Sequence, residues 1–196
     1  MVQFTKILIL SHQKKERYMK NSKKDAQYSV SAKICLAEAL IALMEQTPLD
    51  SIKIQVLAKK AGVSRMSYYR YFSNKIEILE FYIEYILDEY LKVTEKTSAN
   101  EFQTYEHILD SLKYFFQYKG FICCLKKSGF GIMFLDKLNA YVKKQYNLLN
   151  SNEYILYYYV GGIFNIYIQW ITRNTPESAE EIASIIFQLC KKNPIL

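Results

Sequence analysis

The chain has 196 residues, 51% of them hydrophobic and 23% charged, with 26 basic and 19 acidic side chains for a net charge of +7. That composition excludes wholesale disorder and leaves length for a real core, while 6 Gly and 3 Pro are too few for the turns of a sandwich or barrel. An all-α chain is the expectation, and the basic excess suits nucleic acid or an anionic membrane surface.

Residues 1–29 read as a flexible basic extension, because His12 to Asp25 is dense in charge and lacks a sustained helical stripe. The run Lys15-Glu16-Arg17 fits a purine-rich ribosome-binding sequence, which makes Met19 an alternative translation start. A helical stripe begins at Ser31, with Ile34, Ala37, Ile41 and Met44 on one face, and stops at Pro48. A short helix follows over Ile54 to Ala61, interrupted by Gly62. Ser64 caps a third helix to about Phe72, and Asn74 caps a long fourth whose inward stripe is Ile76, Leu79, Ile83, Ile86 and Tyr90. The polar stretch 96–101 reads as a linker. Further helices are predicted near 102–118, 121–127, 132–149, 152–173 and 176–191. The last has Thr175 as cap, Pro176 at its first position, and Ala179, Ile182, Ile186 and Leu189 facing inward. Three domains result: the extension 1–29, a head 30–75 and a helical body 76–196.

Tyr154 to Ile171 is 18 residues without a charge. Its five Tyr, Asn165 and Gln169 favour a buried or interface helix over a membrane span. Cys35, Cys123, Cys124 and Cys190 form no CxxC pair, and with only His12 and His107 a zinc site lacks ligands. Idle thiols in a reducing cytoplasm and a redox sensor are the two readings of these cysteines. No Gly-rich phosphate loop, metal-spaced His cluster or nucleophile–base pair is visible, so neither enzymatic activity nor a cofactor or metal is expected.

The informative block is Ile54 to Phe72, IQVLAKKAGVSRMSYYRYF. Two helices meeting steeply need a small residue at the crossing, which Ala58 supplies, and a turn at positive φ, which Gly62 supplies. Leu57, Ala61, Val63 and Tyr68 close a small core beneath the pair. Arg65, Met66, Ser67, Tyr69 and Arg70 are left pointing outward. This is the pattern of a helix-turn-helix, whose second helix enters the DNA major groove. Lys outnumbers Arg 22 to 4, the bias of an AT-rich, bacterial genome, so each Arg carries more information.

Leu57, Ala58, Ala61, Gly62, Val63, Ser64, Tyr68, Tyr69, Tyr71, Phe72, Lys75 and Ile78 or Leu79 together resemble the DNA-binding domain of TetR-type transcription regulators, over about 33–80. The resemblance implies that Tyr69 and Lys75 contact phosphates. It places Arg65, Met66, Ser67 and Arg70 where the family reads bases or nearby backbone, with Tyr71 beside them. Arg65 and Arg70 are the leading candidates for reading guanine. Lys53, where Thr or Ser commonly caps the second helix, and Val56, in place of a usual acid, depart from the pattern. Gly161-Gly162, Trp170 and Thr175-Pro176-Glu177 resemble a C-terminal class that includes activators of dihydroxyacetone kinase operons.

The expectation is a cytoplasmic, ligand-responsive homodimeric repressor on a palindromic operator in double-stranded DNA. An activator of the same family and a membrane-associated helical protein are the alternatives. Phe115, Phe116, Phe121, Phe130, Phe134, Tyr158, Phe164 and Trp170 are candidates for lining an effector pocket, with plain core as the competing role. Tyr159, Gly161, Gly162, Ile166, Ile182, Ile186 and Leu189 are candidates for the dimer interface. Residues 1–75 carry 14 basic and 5 acidic groups and 76–196 carry 12 and 14, so the positive charge belongs to the head and its tail.

Overall fold

A computed structural model of the chain describes residues 27–94, 104–145, 153–173 and 177–192. Nearly all of them are helical, and no strand occurs among them. The extension up to residue 26, the Met19 start, the linker 96–101 and the Thr175-Pro176 helix start lie outside the described residues.

The head consists of α1 (27–44), a 3-10 turn (Leu49–Ser51), α2 (Ile54–Lys60) and α3 (Arg65–Tyr71). The buried face of α1 is Ala32, Leu36, Ala37, Leu40 and Met44, with Ile34 and Ile41 half-buried at its edges. By length and composition α1 is the one described helix apolar enough to cross a membrane, but Leu36, Ala37 and Leu40 are fully enclosed in the head's core. Gly62 adopts φ +68°. The Val63 N–H then reaches back to the Ala58 carbonyl at 3.0 Å, and this closes α2 as a Schellman turn. Ser64 caps α3 by accepting from the Ser67 N–H at 3.0 Å, whereas no side chain caps α2 at Lys53.

Helix α4 (Lys75–Thr94) leaves the head and enters the body. Asn74 caps its start, with Oδ1 accepting from the Glu77 N–H at 3.0 Å, while Glu77 Oε2 accepts from the N–H of Ser73, one residue before the cap, at 2.7 Å. Its buried stripe is Ile78, Leu79, Tyr82, Ile83, Ile86, Leu87 and Tyr90, and the predicted Ile76 is 41% exposed. The stripe turns this way because α4 is clasped by α1 on one side and by the body on the other. Tyr82 packs edge-on against Phe121 with ring centroids 5.0 Å apart, and burial pushes its hydroxyl up to about 12.

The body adds α5 (Tyr105–Phe116), α6 (Lys119–Lys127), α7 (Gly131–Gln145), α8 (Glu153–Thr172) and α9 (Ala179–Lys192). Helix α5 packs along α9, and α7 lies against α4, α6 and α8. The start of α9 differs from the sequence reading, for Ser178 and Glu181 cap it reciprocally at 2.7 and 3.1 Å. Its buried residues are Ile182, Ala183, Ile186 and Cys190, while Leu189 is 49% exposed. The uncharged stretch 154–171 is α8, whose Leu156, Val160, Tyr167, Ile168 and Ile171 are buried. One apolar cluster runs from Leu36 and Phe72 in the head to Ile186 in the body, so α4 is embedded in a shared core. All four cysteines are free thiols. Burial raises the pKa of Cys124 and Cys190, which lowers their thiolate fraction and favours the idle-thiol reading.

Lys75 has a role that its sequence position does not announce. Its ammonium donates to the carbonyls of Leu49 at 2.5 Å, Asp50 at 3.2 Å and Ile52 at 3.0 Å. An ammonium has three protons, and all three are directed to carbonyls in and just after the 3-10 turn. This gives Lys75 a structural role in the DNA-free head beside its proposed phosphate contact. Lys75→Met is expected to lower the melting temperature of the DNA-free protein by ~2–8 °C, the equivalent of ~1–2 kcal/mol for charge-assisted bonds at a partly exposed site. An unchanged melting temperature would return Lys75 to a pure DNA-contact role.

Candidate functional site

Three places in the fold gather the predicted site residues: the outer side of α3, a cavity inside the body, and the outer faces of α8 and α9.

On α3, buried Tyr68 (1% exposed) fixes the rotation of the helix by sitting with Leu57 in the head's core. The opposite side then faces solvent: Arg65 and Arg70 are exposed, with Met66 at 73% and Tyr69 at 60%. This leaves an exposed Met and Tyr flanked by two Arg on the outward side of α3. Ser67 is half-buried and its hydroxyl is 3.0 Å from that of the capping Ser64. Tyr71 is half-buried too, with the Lys33 ammonium 5.7 Å from its ring centroid. Both sit beside the outward face. Lys53, Lys59 and Lys60 are exposed on and just before α2, making this end of the head basic.

The body holds a cavity of about 100 Å³ between α4, α5, α7 and α8. Of the eight predicted pocket residues, Phe115, Phe134 and Phe164 line it. The others do not, each for a physical reason. Phe121 is in the core against Tyr82, and Phe130 packs on that core from the turn before α7. Phe116 and Trp170 lie tilted against each other with ring centroids 5.1 Å apart and border a shallow groove with Lys113 and Glu177. Tyr158 is 68% exposed on the outside of α8. Aromatic content alone misses the polar wall formed by Tyr90, His107 and Ser111. The signal for it is present in the sequence: His107 and Ser111 stand one helical turn apart within the apolar stripe Ile108, Leu112, Phe115.

The outer faces complete the set. Helices α8 and α9 run antiparallel, tied by Trp170 Nε1–H to the Glu177 carbonyl at 2.9 Å and by the Tyr159 hydroxyl to the Cys190 carbonyl at 3.4 Å. Tyr159, Ile182 and Ile186 are no more than 7% exposed and pack in their own subunit's core. Ile166 and Gly161 are half-buried. Facing out are Tyr154, Ile155, Tyr158 and Gly162 on α8, with Ile185 and Leu189 on α9. A β-carbon added at Gly161 or Gly162 would meet nothing within 4 Å, so neither glycine is required by packing inside the chain.

Comparison with known proteins places these features. Residues 36–81 match the family model for bacterial regulatory proteins of the tetR family, and residues 103–192 match the model for a transcriptional regulator C-terminal region of the TetR type. No curated protein matches by sequence. Among solved structures, the dihydroxyacetone kinase operon activator DhaS is 20% identical with a TM-score of 0.57, covering 82% of this chain and 94% of its own. A TetR regulator from Streptococcus agalactiae 2603V is 16% identical with a TM-score of 0.59, covering 86% and 98%. One from Streptomyces coelicolor is 15% identical with a TM-score of 0.58, covering 84% and 95%. At these identities the neighbours share the fold. With a head carrying the helix-turn-helix and both regions matched by their family models, the chain belongs to the TetR family of DNA-binding transcriptional regulators.

Proposed function

We propose that the protein is a homodimeric, effector-responsive repressor that reads a palindromic operator through α3. The observation that carries this reading is the exposed row Arg65, Met66, Tyr69 and Arg70, held outward by the buried Tyr68. Arg65 and Arg70 have the fork of donors that guanine accepts in the major groove. Tyr69 supplies a hydroxyl for a phosphate, and Met66 an apolar contact for a thymine methyl. Ser67 and Tyr71 flank this set. Lys75 would contact a further phosphate, beside its bonds to the 3-10 turn in the DNA-free head.

Dimerisation through α8 and α9 supports the same reading. Tyr154, Ile155, Tyr158, Ile185 and Leu189 form an apolar strip on two antiparallel helices, and a second copy would complete a four-helix bundle over it. Two recognition helices about 34–36 Å apart would then meet successive major grooves. A guest in the body cavity touches Tyr90 on α4, the helix that carries the head, so its preference for one position of α4 biases the spacing of the two heads.

An operator recovered by selection from random duplexes provides the assay. Tyr69→Phe is expected to weaken binding to every duplex alike, by about 0.5–1.5 kcal/mol. Arg65→Ala should cost about 1–3 kcal/mol and relax preference at one base pair of each half-site. Unchanged preference in Arg65→Ala would remove that residue from base reading. In transcription from the promoter carrying the operator, added protein should lower the transcript, and a rise would make it an activator.

The interface has its own measurement. Ile185→Glu with Leu189→Glu places two carboxylates in the strip without touching the subunit's core. Sedimentation should show a folded monomer with operator affinity reduced at least tenfold. A persistent dimer would locate the interface elsewhere.

A further inference from the structure

Among the described residues, none of the side chains that wall the body cavity is Lys, Arg, Asp or Glu. Its volume of about 100 Å³ is on the order of the ~150 Å³ apolar cavities that take up benzene. Most of the wall is aliphatic and aromatic, with Leu112, Phe115, Phe134, Leu138, Val160 and Phe164 making the larger part.

One end is polar, and its protons can be assigned. Ser111 Oγ donates to the His107 carbonyl, one turn back on α5, at 2.7 Å. A hydroxyl has a single proton. The Tyr90 hydroxyl, 2.5 Å from Ser111 Oγ, is therefore the donor in the bond between them. With its own proton committed, Tyr90 can only accept from His107 Nε2, which lies 3.5 Å away. Both hydroxyl protons are thus directed to protein acceptors, while Ser111 Oγ, having accepted once, retains a second acceptor site. This end of the cavity receives hydrogen bonds better than it gives them.

We propose that the cavity binds a small uncharged molecule, a single ring or a short aliphatic of similar bulk, whose one hydroxyl donates to Ser111 Oγ. The proposal rests on reading the body as an effector domain, and it specifies the chemistry of the effector. A carboxylate or an ammonium would lose its hydration and meet no opposite formal charge among the described wall residues.

The test uses full-length protein and three probes sharing one ring: toluene, 4-methylphenol and 4-methylbenzoate, titrated by calorimetry. The phenol is expected to bind about tenfold tighter than toluene, the value of one added hydrogen bond. It should bind at least a hundredfold tighter than the benzoate. Ser111→Ala should abolish the preference for the phenol and leave toluene affinity unchanged, while Tyr90→Phe should preserve the preference. Equal affinity for toluene and the phenol, tighter binding of the benzoate, or loss of preference in Tyr90→Phe but not in Ser111→Ala would each overturn the proposal. So would the absence of binding by all three probes to a preparation that binds operator DNA. That last result would leave the regulator reading standing, and loss of DNA binding by the folded wild type would overturn that reading instead.

Discussion

The clasp of Lys75 on the 3-10 turn is the constraint on which the rest of the molecule depends. A helix N-terminus is a poor place for a cation, because the helix dipole opposes it. Here the ammonium is carried back from the first residue of α4 to three carbonyls of the preceding turn, where its charge meets the negative ends of peptide dipoles. The bonds join residues 23 to 26 positions apart in sequence. They fix the direction in which α4 leaves the head. Farther along, the Tyr114 hydroxyl donates to the Ile86 carbonyl at 2.9 Å and Tyr90 bonds to Ser111, so α4 is also attached to α5. A helix bonded at both ends transmits a shift at one end to the other, because packed interiors do not absorb strain by compressing.

Polar bonds inside the body serve this rigidity at a cost that apolar packing would not incur. Burial raises the pKa of Tyr114 and Tyr167 well above that of a free phenol. Each hydroxyl stays neutral and acts as a donor, Tyr114 to Ile86 and Tyr167 to the Phe115 carbonyl at 2.8 Å. Such bonds have direction, where apolar contacts do not. They select one register of α4, α5 and α8 from the several that a Tyr- and Phe-rich interior would tolerate. The cavity lies among these same helices. A guest there, as proposed, would compete for the space and bonds that set the register.

Local chemistry was the legible part of the sequence. Ala58, Gly62, Ser64 and Asn74 each have a structural requirement met within a few residues, and each performs the role its type and spacing imply. Long helical periods were legible as well, though not always their phase. The stripe on α4 rotates from Ile76 to Ile78, and that on α9 from Leu189 to Cys190, because each helix has neighbours on two sides and a second apolar edge competes with the first. Lys75 was read from its position in a motif, and nothing near it in sequence reveals carbonyls that fold back from residues 49–52. The pocket was sought among aromatics, yet Tyr is shared here between core, surface and cavity. Tyr159 and Tyr158, adjacent in sequence, are 7% and 68% exposed. Polar residues inside an apolar stripe, such as His107 and Ser111, are the better guide, since burial of a polar group needs a reason.

Charge is the last quantity that the fold redistributes. The described part of the head, residues 27–75, holds seven basic and three acidic side chains. Lys75 is turned inward to carbonyls, and Lys33 lies over the Tyr71 and Phe81 rings at 5.7 and 5.2 Å. Five cations remain on the α2–α3 side: Lys53, Lys59, Lys60, Arg65 and Arg70. Counterion release scales with phosphates neutralised, so these five, more than the net charge of the whole chain, set the electrostatic part of DNA affinity within the described head. Two of the five are the arginines on the outward face of α3. If those read guanine, they add specificity at the expense of phosphate contacts, leaving three lysines for the backbone. The seven basic side chains of residues 1–26 come in addition to these, and pairing two heads in a dimer, as proposed, would double the charge brought to one duplex.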